Sequence, residues 1–288
     1  MRVLETTTDV SEFFGCSLVP TMGALHAGHR SLIERARQER TGPVVVTLFV
    51  NPTQFGPGED FSKYPRTMDE DVALAEAAGA DAIFIPDTAT MYPDGLEAAG
   101  RAAAMWPLPP TATVPHLEDE ARPGHFGGVC QVVARLFDLC RPAAAYFGEK
   151  DFQQVRVISQ MVEQSTGPWR NLRVVACPTQ RDVDGLAISS RNRYLTAQHR
   201  VCALGIFRAL TMASHAKDAQ HAESLMHSTL VQSGVSIDYA VVRDAFTLCP
   251  TAGTATPRRA LIAVRLPTAR LIDNMAMPTL DRTTLANA

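Results

Sequence analysis

Apolar residues in the first two-thirds of the chain gather into short runs separated by amphipathic stretches. Pro43–Val50 (PVVVTLFV) is β-branched and lacks polar alternation, the pattern of a strand covered on both faces. Ala80–Ile85 (ADAIFI), Ala143–Phe147 and Leu172–Cys177 read as strands too, and Ser17–Pro20 ends a further one. Between them, residues 30–40, 67–78, 129–140 and 151–164 read as helices. In the second of these, Thr67 stands at the N-cap position, carboxylates fill the first turn and Gly79 follows the end. Strand, helix, strand at this spacing predicts right-handed crossovers and an α/β, doubly wound parallel sheet. Ligands of such sheets bind beyond the carboxyl ends of the strands, so chemistry is expected in the loops after Val19, Val50 and Phe147.

The pattern changes after Cys177. Thr196–Ala216 and Asp218–Ser233 read as helices, and Ile237–Val242, Arg259–Leu266 and Ala269–Asp273 as short strands. Two domains are therefore expected, 1–177 and 178–288, the second a smaller α+β unit. Gly95–Pro115 contains the Pro-rich piece WPLPPTATVP (106–115), read as a surface loop, with a polyproline ligand for another protein as the alternative.

Composition narrows the functional classes. With 46% hydrophobic and 20% charged residues, 288 residues bury a substantial core, unlike a disordered tail. The 27 basic and 30 acidic side chains give a net charge of -3, which argues against a general nucleic-acid binder. No apolar run approaches the roughly 20 residues that span a bilayer. The first residues, Met1 to Asp9, are polar where a signal peptide needs an apolar core, so a cytoplasmic protein is expected. The six cysteines are scattered without a C-x-x-C pair, so neither structural zinc nor a disulfide framework is expected.

The sharpest chemical signal is PTMGALHAGH (20–29), between a strand and a helix. Gly23 and Gly28 allow the backbone to approach a ligand, and a helix beginning near Gly28 or His29 aims N–H groups and its positive dipole end at it. His26 and His29, three apart, can face one side of the turn, where imidazole N–H donors suit an anion whose charge grows during reaction. Two other readings stand beside this one. Zinc would need a third ligand nearby, and the H-E-x-x-H spacing is absent. The remaining reading is a pair of structural histidines.

His-Ala-Gly-His (26–29) resembles the HIGH signature of nucleotidyl-transferring α/β enzymes, and the longer PTMGALHAGH resembles the pantothenate synthetase (pantoate–β-alanine ligase) family. FVNPTQFGPGEDFSKYPRT (49–67), ARPGHFGGV (121–129), YFGEKDFQQ (146–154), DGLAISSRNRYL (184–195) and RLIDN (270–274) are similar to that family in the same order. The resemblance implies a Rossmann-like domain at 1–177 for nucleotide and pantoate, with a C-terminal lid at 178–288. It further implies an ATP-dependent ligase that forms pantoyl adenylate and then pantothenate from β-alanine. Magnesium would arrive with ATP, held mainly by phosphates and water with few protein ligands. A cytoplasmic homodimer, with no nucleic-acid or membrane partner, completes that picture.

The same resemblance assigns residues. Met22, Gly23, Ala24, Leu25, His26, Ala27, Gly28 and His29 would line the nucleotide phosphates, with His29 the charge stabiliser or proton donor and His26 its partner. Gly148, Glu149, Lys150 and Asp151 would follow, Lys150 as a catalytic point charge and Asp151 on a ribose hydroxyl or as a helix cap. Gln180, Ile188, Ser189, Ser190 and Arg191 would complete the ATP contacts, Arg191 gripping phosphate as a fork. Gln54, Gln154, Arg122, Asn51 and Tyr64 would serve the substrate side. Asp69, Glu70 and Asp71 either support a helix N-terminus or help hold magnesium. The chain departs from the family pattern at Gln180, Ile188 and Leu266-Pro267.

Overall fold

The computed structural model describes residues 1–39, 41–56, 61–251 and 256–278. Arg40, the expected end of one helix, and residues 57–60 of the second motif block lie outside them. Contacts divide the chain into two compact units: Met1–Glu149 with Gln153–Pro178, and Lys150–Phe152 with the chain from Thr179 onward.

The first unit contains a six-stranded sheet built from β1 (Arg2–Leu4), β2 (Ser17–Thr21), β3 (Val44–Leu48), β4 (Ala82–Phe84), β5 (Ala144–Gly148) and β6 (Arg173–Cys177). Its order is β1-β4-β3-β2-β5-β6, and every pairing is parallel. The helices are α1 (Thr7–Ser11), α2 (Ala27–Glu39), α3 (Met68–Ala77), α4 (Thr88–Met91), α5 (Leu96–Ala104), α6 (Glu118–Ala121), α7 (His125–Cys140) and α8 (Phe152–Glu163). Helices on both faces explain the apolar strands. Val44, Val46 and Leu48 join Leu32 and Ile33 of α2 in one core, whereas Val45 faces a second core with Phe126, Val133 and Phe137 of α7. Ala144 and Tyr146 against Ala145 and Phe147 divide in the same way, as the two-residue period of a strand requires. From β2 the chain runs to β3 on one side while β5 lies on the other, so the carboxyl ends of β2 and β5 form the switch point where such sheets bind ligands.

Differences from the sequence reading have local causes. The α7 helix begins four residues earlier than its apolar spacing indicates, because Gly127 and Gly128 pack rather than break it. A Cβ on Gly127 would overlap the backbone of Ala103, and one on Gly128 would overlap the backbone of Thr53 and Gln54. Part of 95–115 is helical as α5, whose buried residues, Ala99 and Ala103, are too small to signal a periodic face. In the Pro-rich piece Trp106 and Leu108 pack on the core, while Pro107, Pro110, Thr113 and Val114 are exposed as a surface loop requires. The three-residue edge strand β1 pairs with β4, a partner far along the chain that no local pattern indicates.

At the end of α2, Glu39 takes hydrogen bonds from Arg35, Arg173 and the Tyr146 hydroxyl. Those bonds, Arg35 foremost, hold its carboxyl down at about 2. Cys16, Cys130 and Cys140 are buried free thiols; burial pushes Cys16 and Cys130 up to about 12. Among the described residues no helix is long and apolar enough to cross a membrane.

The second unit carries an antiparallel sheet of β7 (Ser236–Asp244), β8 (Arg258–Leu266) and β9 (Ala269–Met277), in that order. Its helices are α9 (Ala197–Ser214) and α10 (Ala219–Gln232). Ala260, Ile262, Val264 and Leu266 alternate along β8 into a core with Ile206, Leu210, Met226 and Leu230 of the helices. The expected two-helix, three-strand α+β unit is present, with each strand running nine residues.

Candidate active site

In the first unit the loop between β2 and α2 is wound tightly on itself. Gly23 and Ala24 both have positive φ, 84° and 50°. Gly23 N–H donates to Thr21 Oγ1 at 3.2 Å, and that hydroxyl donates to Thr47 O of the neighbouring strand at 2.7 Å. Ala24 N–H and Leu25 N–H donate to the two oxygens of Asp71, at 3.0 and 2.7 Å. Of the acidic trio 69–71, Asp71 is thus turned inward, 2% exposed, while Asp69 and Glu70 are exposed. Thr67 makes no cap bond; its hydroxyl donates to Asp71 Oδ1 at 3.2 Å instead.

The histidines continue this pattern. Their rings stack with centroids 4.1 Å apart and planes inclined by 27°. His26 N–H donates to His29 Nδ1 at 3.3 Å, and Gly28 N–H donates to His26 Nδ1 at 3.1 Å. Since each Nδ1 accepts, each neutral ring carries its proton on Nε2. A Cβ on Gly28 would press into the His26 ring, so glycine is what lets the imidazole lie over the helix start. One expectation changes here. The helix begins at Ala27, and the amides of Gly23, Ala24, Leu25, His26 and Gly28 are engaged within the protein. Those five amides therefore hold the loop in shape.

A second turn, Pro52–Gln54, follows β3 and is fixed by Asn51, which is fully buried. Asn51 Oδ1 accepts from Tyr92 Oη at 2.6 Å and from the amide and hydroxyl of Thr53. Its Nδ2 donates to Gln54 Oε1 and to Gly128 O, both at 3.1 Å. Burial raises the Tyr92 phenol above its ordinary value, which keeps it a donor. Gln54 is buried at 8% exposure rather than displayed on the surface, and its Nε2 meets Met22 Sδ at 3.1 Å. The turn after β3 and the loop after β2 thereby touch.

His125, at the start of α7, ties Arg122 to this turn. Arg122 Nη1 donates to His125 Nε2 at 2.9 Å, since a guanidinium cannot accept, and His125 Nδ1 donates to Gln54 O at 3.0 Å. Sequence reasoning missed His125, whose link to Gln54 is visible only in three dimensions. Tyr64 is buried, its ring edge-on to Phe55 with centroids 6.2 Å apart. Gly148 ends β5 and Glu149 follows it. Gln153 is buried, bonded to Glu118 N, Thr111 O and Asp119, whereas Gln154 is half-exposed on α8.

The other expected residues belong to the second unit. Lys150 Nζ lies 3.2 Å from Asp151 Oδ1. The Lys150 carbonyl accepts from Asn274 Nδ2 at 2.9 Å, Asn274 Oδ1 accepts from Arg259 Nε at 2.7 Å, and the Arg259 guanidinium sits 4.0 Å over the Phe152 ring. Asp273 and Asn274 of RLIDN are both buried, and Asp273 forms a two-pronged pair with Arg181 at 2.6 and 3.0 Å. Gln180 is exposed, and its carbonyl accepts the Ile188 amide at 2.9 Å. Ser189 caps the 3-10 turn Ser190–Tyr194 by accepting from Arg191 N–H at 3.3 Å. Among the described residues, no group of three or more His, Cys, Asp and Glu side chains is placed to hold a metal ion.

A family model described as Pantoate-beta-alanine ligase matches residues 3–276. A bifunctional pantoate ligase/cytidylate kinase of Synechococcus elongatus is 48% identical over 267 residues, 90% of this chain and 49% of that protein, so the chain spans about half the length of that relative. A pantothenate synthetase of Bradyrhizobium sp. is 48% identical over 266 residues, covering 91% of this chain and 90% of that protein. Among solved structures, pantothenate synthetase from Thermus thermophilus superposes with a TM-score of 0.86 at 39% identity, over 96% of this chain and 100% of that one. Pantoate-beta-alanine ligase from Francisella tularensis, complexed with beta-gamma ATP and beta-alanine, superposes with a TM-score of 0.74 at 31% identity, over 96% of this chain and 97% of that one.

Proposed function

The chain belongs to the pantoate–β-alanine ligase family, and from that membership we propose that it condenses (R)-pantoate with β-alanine to pantothenate, converting ATP to AMP and pyrophosphate. A pantoate carboxylate oxygen attacks the α-phosphorus of ATP; a new P–O bond forms, the bond from the α-phosphorus to the α,β-bridging oxygen breaks, and pyrophosphate leaves with that oxygen and the electron pair. The neutral β-alanine amine then attacks the acyl carbon; a C–N bond forms, the C–O bond breaks, AMP departs with that oxygen and the electron pair, and the nitrogen gives up a proton to solvent. Adenylation is needed because a carboxylate is a poor electrophile with a bad leaving group. Binding both reactants in one place makes each step effectively unimolecular, worth up to roughly 7–11 kcal/mol.

The observation that carries this reading is the contact between Gln54 and Met22. It puts an amide suited to pantoate's hydroxyl and carboxylate beside a loop of two stacked imidazoles suited to phosphate. His29 and His26 stabilise charge on the phosphates through Nε2–H. Asn51 orients Gln54 from inside the protein, and Arg122, held by His125, acts with Gln154 and Tyr64 on the pantoate side. Lys150, Ser189, Ser190 and Arg191 supply further positive charge and donors to the ATP phosphates, with Glu149, Asp151, Gln180 and Ile188 as nucleotide contacts. Accordingly, 1–177 apart from Lys150–Phe152 carries the pantoate residues and the paired histidines, and the smaller second unit serves the nucleotide.

Magnesium fits as a companion of ATP. Asp71, the buried carboxylate of the acidic trio, already accepts two amides and a hydroxyl, so the ion would be held by phosphates and water, where it neutralises charge. The net charge of -3 supports small molecules rather than nucleic acid as partners; a cytoplasmic homodimer is part of the same proposal. The test is direct: purified protein with magnesium, ATP, D-pantoate and β-alanine releases AMP only when β-alanine is present. A nucleotidylyltransferase would keep the nucleotide on its product, and absence of AMP would refute the assignment.

A further inference from the structure

We propose that Asp71 is a positioning residue for adenylation, its buried carboxylate fixing the backbone on which His26 and His29 are set. This rests on the reading of the 22–29 loop as the part that meets the ATP phosphates. Asp71 comes from α3, far along the chain from the loop, yet its two oxygens take the consecutive amides of Ala24 and Leu25 at 3.0 and 2.7 Å. Two successive residues with positive φ, Gly23 and Ala24, bring those amides to one carboxylate. For Ala24 that conformation is strained, so it needs a partner that over-determines it. A Cβ on Gly23 would stand 3.1 Å from Asp71 Oδ2, which shows how closely the carboxylate is approached. Ala24 is fully buried and Asp71 nearly so, which leaves no solvent to replace the bonds.

The consequence lies one residue further on. Leu25, whose amide Asp71 holds, precedes His26, whose own N–H anchors His29 through Nδ1. Both rings are therefore fixed relative to a backbone that Asp71 clamps, and the carboxylate reaches the chemistry only through that loop. Thr67 completes the arrangement by donating its hydroxyl to Asp71 Oδ1 at 3.2 Å, turning the carboxylate toward the amides. With three donors accepted, Asp71 acts as a clamp and not as a magnesium ligand.

The test uses full-length wild type, Asp71→Asn and Thr67→Val, measuring pyrophosphate release in a single turnover and β-alanine attack on supplied pantoyl adenylate. Asp71→Asn replaces one acceptor with an NH2 facing an amide, and is expected to slow adenylate formation roughly a hundredfold, the scale of a misplacement of about 1 Å. The second half-reaction should fall far less, and the magnesium concentration for half-maximal rate should not move. Thr67→Val, which keeps the carboxylate and the shape, should show the same bias toward the first half-reaction at a smaller size. Adenylation at the wild-type rate in Asp71→Asn would overturn the inference, as would recovery at high magnesium, which would mark a metal ligand. If Asp71→Asn does not fold, a folded Thr67→Val with unaltered adenylation overturns it. Wild type that forms no adenylate would refute the functional reading itself, a result distinct from all of these.

Discussion

Asn51 Oδ1 accepts three hydrogen bonds and Nδ2 donates two, so the side chain is occupied on every side by Tyr92, Thr53, Gln54 and Gly128. Replacing it with alanine removes the acceptor that the Tyr92 hydroxyl and the Thr53 amide share and the donor to Gln54 Oε1. Asn51→Ala is expected to lose about 1–3 kcal/mol of stability in urea unfolding and to weaken pantoate binding together with Gln54→Ala. Pantoate affinity unchanged in both variants would detach this turn from the substrate. His29→Ala and Lys150→Ala are expected to slow adenylate formation by about 10²–10³-fold in single-turnover assays, the range for losing one preorganised donor. A wild-type rate in either would remove that residue from the first step. At this scale the sequence showed which residues to name, since the motif strings contain His26, His29, Gln54 and Lys150. It did not show what holds them. Asp71 looks like one of three first-turn acids until α3 is folded against the loop, and His125 carries no local mark of its link to Gln54.

Strands and long helices were legible because burial on two faces writes an apolar run, as in β3, and burial on one writes helical spacing, as in α9. What was illegible depended on partners distant in the chain. The Gly127-Gly128 pair resembles a helix break in sequence but serves backbone-to-backbone packing of α7 on α5 and on the Pro52–Gln54 turn. Gly128→Ala is therefore expected to cost about 1–3 kcal/mol, seen as a lower melting temperature, and to disturb Gln54. An unchanged melting temperature would contradict the packing account. Glu39 gives an element-scale pH dependence. Its carboxyl is held at about 2 against an ordinary value of 4.5, so its contribution is complete above 4.5 and disappears as pH falls through 2. The stability difference between wild type and Glu39→Gln should be constant near neutrality and shrink steadily below pH 4.5. A difference that persisted undiminished toward pH 2 would assign the effect to packing rather than charge.

For the molecule as a whole, the change of pattern after Cys177 marks the change from parallel sheet to antiparallel sheet. The sequence did not show that Lys150–Phe152 would group with the second unit. RLIDN explains that grouping: Asn274 holds the Lys150 carbonyl and Arg259, which lies over Phe152, while Asp273 pairs with Arg181. A terminal motif of five residues thus anchors the lysine assigned to the phosphates, a connection that only the folded chain displays. In the proposed reaction pantoate's own carboxylate oxygen attacks the α-phosphorus. The most direct measurement follows that oxygen: pantoate labelled with heavy oxygen in its carboxylate is turned over with unlabelled ATP, and the products are weighed by mass spectrometry. One labelled oxygen is expected in AMP and none in pyrophosphate. Label in orthophosphate, or in no phosphorus-containing product, would contradict it.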